Sequence, residues 1–328
     1  MAFKDKLEIF ANDLRAGWSI LRGDGYLPAS NVFQVTIEVT SICNLRCPLC
    51  PTGTGKVKRK NRFIPEEIFD RIVNVTRPVT GGYVLSMWGE PALHPGLGAL
   101  LEKTRPIPTW VASNLNHRES VVRELARWDH LNIMAAVDTL NSSEYTDYRV
   151  GGSYDVMLRN LDILSAGRCN VYPQFLVDEG YDPEEYAAFA RSHGISSENA
   201  VIKIKRENFT LEQTGKPAPG KCHAPFWGLY FDCDGNLVPC CNDVHKDLHM
   251  GHINDLDLDA IMHRETIARV RRKLAHDKNQ FPSCGQCRGE TIWNTRLPVY
   301  TDAAKQALSL LTGKAKGPQK MPFREPGE

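Results

Sequence analysis

Three cysteines near the N-terminus have the spacing of ligands to an iron–sulfur cluster. Cys43, Cys47 and Cys50 form a CxxxCxxC pattern directly after residues 33–39, where apolar and polar residues alternate. This alternation predicts a β-strand. Three thiolates can bind three irons of a four-iron cubane and leave the fourth iron open. Structural zinc sites usually have four protein ligands, so the three cysteines fit a cluster with an open iron better.

The cysteine spacing and its place after a first strand resemble the radical S-adenosylmethionine (SAM) superfamily. In that family the open iron binds the amino and carboxylate groups of SAM. One electron from the cluster then cleaves SAM to methionine and a 5′-deoxyadenosyl radical, which abstracts a hydrogen from the substrate. The resemblance implies an oxidoreductase-type enzyme with a SAM-binding [4Fe–4S] cluster. A zinc knuckle or a surface cysteine cluster is the alternative.

Further residues match positions that contact SAM in this family. Trp88 is followed by Gly89, Glu90 and Pro91, which resemble the family's Gly-Gly-Glu-Pro motif with Trp88 in place of the first glycine. A SAM ammonium group needs acceptors, and Glu90 would supply a charge-assisted one. The resemblance implies cofactor-binding or substrate-facing roles for four more residues near the ends of later strands: Ser113, Asn114, Asp138 and Arg149.

Structural interpretations of these residues remain open. Gly89-Glu90-Pro91 could be an ordinary strand-to-loop turn, Ser113-Asn114 a helix N-cap, and Arg149 a surface arginine. Arg149 could instead pair bidentately with the SAM carboxylate. Gln174 and Lys203, on later predicted strands, are candidates for substrate contact, although alternation alone does not fix which face they occupy.

Four later cysteines could converge on a second metal. Cys222 and Cys240 flank a predicted β-hairpin, and Cys284 and Cys287 form a CxxC pair. This set suits either zinc or a fully ligated cubane. With its surrounding residues it resembles the SPASM/twitch extension of radical SAM proteins. Because only four ligand-like cysteines fit, the resemblance implies the shorter twitch form with one auxiliary [4Fe–4S] cluster.

Three cysteines are left over. Cys169 is predicted to be an inert packed thiol, and Cys233, at the hairpin turn, is predicted to be exposed. Cys241 adjoins Cys240. In some epimerases of this superfamily a cysteine returns a hydrogen atom to the substrate radical, which makes Cys241 the catalytic candidate. Cys-Cys also occurs at this place in relatives without that role.

Composition narrows the class of protein. The 328 residues carry a formal net charge of +1 with acids and bases mixed, which argues against a nucleic-acid partner. No signal peptide and no membrane-spanning run is visible, so we expect a soluble cytoplasmic protein without a membrane partner. Ten cysteines in a cytoplasmic chain favour metal binding or catalysis over disulfides.

Strand and helix patterns alternate along most of the chain. Six βα units predict an α/β fold with a parallel sheet, and the resemblance implies a partial (β/α)6 TIM-like barrel with its site at the carboxyl ends of the strands. Predicted strands lie near 33–39, 83–87, 109–112, 131–137, 171–177 and 201–205. Predicted helices lie near 4–21, 65–75, 98–103, 119–127, 156–164, 183–192 and 257–274.

Four segments are predicted from these patterns. Residues 1–31 form an amphipathic helix and linker, and 32–214 form the radical SAM core. A Gly- and Pro-rich break at 215–220 begins a small β-hairpin/helix twitch-type cluster domain over 215–297. Residues 298–328 form a partly disordered tail.

The expected reaction is hydrogen abstraction from a small polar molecule, such as a carbohydrate or aminocyclitol in natural-product biosynthesis, leading to dehydrogenation or epimerisation. The short N-terminal segment and the single auxiliary site favour this substrate class. A peptide-modifying maturase is the alternative, and a non-catalytic iron–sulfur or zinc protein is a further one. An electron donor such as flavodoxin or ferredoxin is the expected partner besides the substrate.

Overall fold

The computed structural model describes residues 3–28, 33–55, 60–178, 180–204, 220–243, 246, 248–285 and 287. Its strands are β1 (Phe33–Ile37), β2 (Thr80–Val84), β3 (Thr109–Ser113), β4 (Leu131–Asp138), β5 (Asn170–Val177), β6 (Val201–Ile204), β7 (Gly228–Phe231) and β8 (Leu237–Val238). They form one sheet in the order β6-β5-β4-β3-β2-β1-β7-β8. Each neighbouring pair from β6 to β7 is parallel, and β8 is antiparallel to β7.

Helices connect the successive parallel strands β1 to β6, and further helices precede β1 and follow β8. The helices are α1 (Phe3–Arg22), α2 (Pro51–Thr54), α3 (Glu66–Thr76), α4 (Leu97–Thr104), α5 (Glu119–Leu125), α6 (Ser142–Tyr148), α7 (Tyr154–Ser165), α8 (Pro183–Ser192), α9 (Leu258–His263), α10 (Glu265–Asp277) and α11 (Pro282–Gly285). Their starts follow local chemistry, as at α8, where Asp182 caps the N-terminus and Pro183 takes the first position. Six strands in sequential order with these crossovers confirm the predicted parallel, TIM-like α/β fold.

The alternation of β5 defines two faces of the sheet. Phe175 packs against Tyr186 and Phe189 of α8, with ring centroids 4.9 and 5.5 Å apart, so odd-numbered positions of β5 face the helices. The neighbouring position, Gln174, therefore lies on the opposite, inner face. Lys203 of β6 pairs in register with Leu176 and shares that inner face. The sequence alone left this facing open.

The elements differ from prediction in several places, among them the short helices α2 and α11, which were not predicted. The predicted helix over 257–274 is two helices, because Arg264 is extended and separates α9 from α10. Helix α6 was not predicted, since its polar sequence lacks apolar periodicity, and it begins where the Asn141 side chain accepts hydrogen bonds from two backbone N–H groups. Strand β2 begins at Thr80, earlier than predicted.

Several predictions fall outside the described residues. They concern the turn-rich break over 215–219 and the tail over 298–328. The hairpin that follows the break joins the barrel sheet, because β7 pairs with β1. Among the described helices, none is long and apolar enough to cross a membrane.

Arg271 of α10 joins the C-terminal helices to earlier parts of the chain through hydrogen bonds. It is fully buried, and its guanidinium donates to the backbone carbonyls of Pro225, Gly25, Met262 and Ile261 at 2.9–3.4 Å. We expect Arg271→Leu to lower the free energy of unfolding by about 3 kcal/mol or more, because buried carbonyls lose their donors.

Urea unfolding followed by tryptophan fluorescence measures this effect. The control is Arg269→Leu on the same helix, since Arg269 is exposed and its loss should change stability by only about 0.5 kcal/mol. Equal losses in the two variants would contradict the role assigned to Arg271.

Candidate active site

The loop after β1 brings the first three cysteines together. Cys47 is 4% exposed, and its carbonyl accepts from the Cys50 N–H at 3.1 Å. Cys50 precedes α2, and its carbonyl accepts from the Thr54 N–H at 2.9 Å. A Cβ on Gly53 would lie 2.6 Å from the backbone nitrogen of Cys47, so only glycine fits there. These contacts fold the loop tightly around its thiols.

Burial and nearby charges change the pKa values of Cys43 and Cys47. The pKa of Cys43 is raised to about 11, mainly by burial and in smaller part by the charges of Glu90, Cys47 and Cys50, while the N–H of Leu45 opposes the rise. Burial also raises the pKa of Cys47, while Arg149 lowers it. The raised pKa values of Cys43 and Cys47 mean that their thiolates would be favoured by a cationic partner, and bound iron would provide it. The donor set therefore fits an iron–sulfur cluster.

The predicted SAM motif lies directly against this loop. The Glu90 N–H donates to the Ile42 carbonyl at 2.7 Å. A Cβ on Gly89 would lie 2.0 Å from the Thr40 carbonyl oxygen. The two loops are thus in backbone contact at the carboxyl ends of β1 and β2, and a glycine is required where they meet.

Glu90 links the ends of two strands. Its carboxylate is 4% exposed and accepts from the Ala92 N–H at 3.2 Å and the Asn114 N–H at 2.8 Å. His117 Nε2 lies 3.2 Å from the same carboxylate, at ion-pair distance but without hydrogen-bond alignment. The carboxylate therefore orders the loop after β3 as well as its own, and a contact with SAM remains a prediction.

Ser113 and Asn114 shape the turn after β3. The Ser113 hydroxyl accepts from the Leu115 N–H at 3.1 Å. The Asn114 amide donates to Asn44 Oδ1 at 2.9 Å and lies 4.0 Å from Cys43 Sγ. Neither residue caps α5, whose N-cap is Arg118. Asn114 thus reaches the cysteine loop, whereas its proposed contact with the SAM ribose stays a prediction.

Asp138 and Arg149 form a largely buried ion pair. Asp138 ends β4 with a positive φ of 64° and accepts from Arg149 Nε. Arg149 Nη1 lies 3.6 Å from Cys47 Sγ. Burial alone would lower the pKa of Arg149, but the charge and hydrogen bond of Asp138 raise it well above its usual range. Arg149 is therefore a permanent cation beside the cysteine loop, not a surface arginine.

Trp88 connects the two cysteine sites, a role that the sequence did not reveal. Its carbonyl accepts from the Thr52 hydroxyl at 2.8 Å, next to the first site. Its indole N–H donates to the carbonyl of Cys241, next to the second site. The available signal was the departure from the family motif, in which a glycine occupies this position.

Four cysteines line one pocket at the second site. Cys222, Cys240, Cys284 and Cys287 surround a volume of ≈ 380 Å³ that includes space open to solvent. Burial raises the pKa of Cys284 to about 12, with further contributions from Cys222 and Cys287. The buried Lys278 donates to the Cys284 carbonyl at 3.0 Å. Four thiols at one pocket suit a fully ligated cluster or zinc, and their role as ligands stays a prediction.

No group of three or more His, Cys, Asp or Glu side chains in the described part of the chain is already arranged to hold a single metal ion.

Cys233 is 2% exposed, so its predicted exposure is wrong. It is covered because β7 joins the sheet beside β1, and its N–H donates to Glu38 Oε2 at 3.3 Å. Cys241 is half-buried, and Lys203 is among its charged neighbours.

Cys169 should be nearly inert in the folded protein. It is half-buried, with Sγ 3.7 Å from the Leu164 carbonyl, and burial raises its pKa to about 11. Only the thiolate reacts with iodoacetamide, so at pH 8 we expect alkylation about a hundredfold slower than in the urea-unfolded chain, where the pKa is about 8.5.

The pH dependence of the alkylation rate tests whether the pKa of Cys169 is raised in the folded protein. Since the folded pKa is raised, the alkylation rate should climb about tenfold per pH unit above pH 8 instead of levelling near 9. Peptide mass spectrometry measures the rate, and Cys169→Ser identifies the adduct. Equal rates in folded and unfolded protein would contradict this.

A parallel α/β sheet with a three-cysteine loop after β1 and a four-cysteine pocket beyond it is typical of a protein with two metal-cluster sites. The model of the Radical SAM superfamily matches residues 37–192, and that of SPASM, an iron–sulfur cluster-binding domain, matches residues 222–288. The chain belongs to the radical SAM superfamily and carries a C-terminal SPASM domain. The second match favours an iron–sulfur cluster over zinc at the second site.

Several solved structures share this fold. Streptococcus suis SuiB bound to S-adenosylmethionine is 14% identical, with a TM-score of 0.59 over 84% of this chain and 76% of that one. SuiB bound to precursor peptide SuiA is 15% identical, with a TM-score of 0.58 over 76% of this chain and 69% of that one. A histidine-tagged form of anSMEcpe with bound AdoMet is 14% identical, with a TM-score of 0.52 over 86% of this chain and 94% of that one. No curated protein sequence matches the chain.

Proposed function

We propose that this radical SAM enzyme reductively cleaves SAM and abstracts a hydrogen atom from a carbon of a small polar substrate. The substrate class would be carbohydrate- or aminocyclitol-like, and the outcome dehydrogenation or epimerisation. The observation that supports this best is the convergence of Cys43, Cys47 and Cys50 against the Gly89-Glu90 loop, with Arg149 beside them. An open cluster site and candidate SAM contacts thereby meet at one end of the sheet.

The chain's own residues would hold and orient the reactants. The three thiolates would bind the SAM-cleaving cluster, and Glu90 and Arg149 would contact the amino and carboxylate groups of SAM. When bound, the cluster and SAM supply a 5′-deoxyadenosyl radical. The rings of Trp110 and Tyr172, with centroids 4.8 Å apart on the inner face, would help to exclude water from such a species. A low-potential donor such as flavodoxin or ferredoxin would deliver the electron.

Polar groups on the inner face favour a small polar substrate. Gln174 and Lys203 face inward, and the Asp138–Arg149 pair lies at the end of β4. A few convergent polar groups of this kind orient hydroxyl, amine or acidic groups of a ligand. Peptide modification is the second candidate, because the fold is shared with SuiB, which was solved bound to precursor peptide SuiA.

Deuterium transfer tests the proposal and separates the two substrate classes. The anaerobically reconstituted enzyme is given SAM, dithionite and one deuterated candidate at a time, either a sugar or aminocyclitol or a peptide. We expect 5′-deoxyadenosine by mass spectrometry, with deuterium incorporated from the small polar molecule. Deuterium from a peptide alone would favour the maturase, and absence of 5′-deoxyadenosine with every candidate would contradict the proposed reaction.

Cys241 is the candidate for returning a hydrogen atom to the substrate radical. It lies beside Trp88 and near Lys203, at the side of the inner face that adjoins the SPASM domain. If the reaction is an epimerisation, Cys241→Ala should still consume SAM but should lose the inverted product. Full turnover of Cys241→Ala would remove this role.

A further inference from the structure

Lys203 is a cation that the chain directs toward the inner face of the sheet. It pairs with Leu176 across β5 and β6, whereas the next pair, Phe175 with Ile202, faces α8. Lys203 is half-buried. No hydrogen bond or ion pair involves its ammonium in the part of the chain that the structure describes. Holding an ammonium away from water without a partner is costly.

Lys203 competes with Arg149 for a single carboxylate. Among the described residues, its charged neighbours are Asp138, Cys241 and Arg149. The carboxylate of Asp138 is already paired with Arg149, so two cations share one carboxylate. Burial lowers the pKa of Lys203, and Asp138 and Cys241 oppose that change. Among the described residues, the Lys203 ammonium therefore has no carboxylate of its own, and a bound anion would supply one.

We propose that Lys203 binds an anionic oxygen group, a carboxylate or a phosphate, of the substrate. This inference rests on the proposed function and narrows its substrate class to acidic small polar molecules. Charge pairing and a charge-assisted hydrogen bond would hold that end of the substrate, and Gln174 on the same face would contact its neutral polar part. The other end would then extend toward the cysteine loop.

The carboxylate of SAM is the competing source of the same chemistry. The cation that touches the cysteine loop is Arg149, 3.6 Å from Cys47 Sγ. The charged neighbours of Lys203 include Cys241 of the SPASM domain but none of the three cysteines that would hold the SAM-cleaving cluster. Arg149 is therefore the better-placed partner for the SAM carboxylate, and Lys203, a neighbour of Arg149, is left for an anionic group of the substrate.

Site-specific acylation of the reconstituted holoenzyme tests this assignment. An amine-reactive acetyl ester is added without reductant, and the rate at each lysine is measured by peptide mass spectrometry. Inorganic phosphate and acetate are titrated separately, with sodium chloride at matched ionic strength to account for screening. The exposed Lys273 serves as the internal control.

We expect phosphate or acetate to slow acylation of Lys203 about tenfold, as a charge-assisted contact would, while Lys273 changes less than twofold. The anion that slows acylation of Lys203 more strongly identifies whether the bound group is a phosphate or a carboxylate. Equal effects of sodium chloride, or equal changes at the two lysines, would overturn the proposal. Because no SAM is cleaved in this assay, its outcome is independent of whether 5′-deoxyadenosine forms.

A second arm of the experiment tests whether the anion bound by Lys203 is the carboxylate of SAM. SAM is compared with 5′-methylthioadenosine, which lacks the amino acid carboxylate. Protection of Lys203 by SAM alone would assign the cation to SAM and overturn the proposal. We expect phosphate or acetate to protect Lys203 equally with and without SAM.

Discussion

Replacement of Cys47 by alanine should reduce 5′-deoxyadenosine formation to the level of an enzyme-free control. Cys47 is 4% exposed and lies 3.6 Å from the Arg149 guanidinium, so a water molecule cannot easily take over its place as a ligand. The iron content should fall from about eight to about four per chain, since one of two cubanes is lost. Anaerobic iron analysis and mass spectrometry of the reaction measure both effects.

Two other cysteine variants make this result specific. Cys284→Ala should also lose about four irons but should keep measurable SAM cleavage, because its thiol lines the second pocket. Cys169→Ala should keep all the iron and full cleavage. Equal loss of cleavage in the Cys47 and Cys284 variants would contradict a division of roles between the two sites.

The features that the sequence predicted correctly depend on short-range patterns. The CxxxCxxC loop follows a strand of five residues, Phe33–Ile37, whose alternation of apolar and polar residue types is a local signal, although Val35, Thr36 and Ile37 are all buried in the structure. Helix α8 covers 183–192 as predicted, because Asp182 and Pro183 mark its start locally. Six parallel strands follow from repeated local alternation of this kind.

The features that the sequence did not predict depend on tertiary contacts. Helix α6 has no apolar stripe, yet it places Arg149 at its C-terminus, where the guanidinium reaches Asp138 and Cys47. The inward facing of Lys203 follows from its register with β5, and a slip by one residue would reverse it. The bridge from Trp88 to Cys241 joins residues 153 positions apart, which no local pattern can report.

A single methyl group at Gly89 should disable the SAM site. The Cβ of Gly89→Ala would lie 2.0 Å from the Thr40 carbonyl oxygen and 3.0 Å from that of Ile42. Backbone atoms of the neighbouring loop cannot rotate away, so the Gly89-Glu90 segment must separate from the cysteine loop. We expect SAM affinity to fall at least tenfold and the free energy of unfolding to fall by about 1–3 kcal/mol.

Equilibrium binding of SAM to the reconstituted variant and urea unfolding test the two effects. The matched control is Gly82→Ala in β2, where the Cβ would lie 3.4 Å from the Pro108 carbonyl oxygen, an ordinary contact that should leave SAM binding intact. The glutamate of the same motif depends on this contact too, because its N–H reaches the Ile42 carbonyl only while the loops touch. SAM binding by Gly89→Ala at wild-type strength would show that the motif does not need its contact with the cysteine loop.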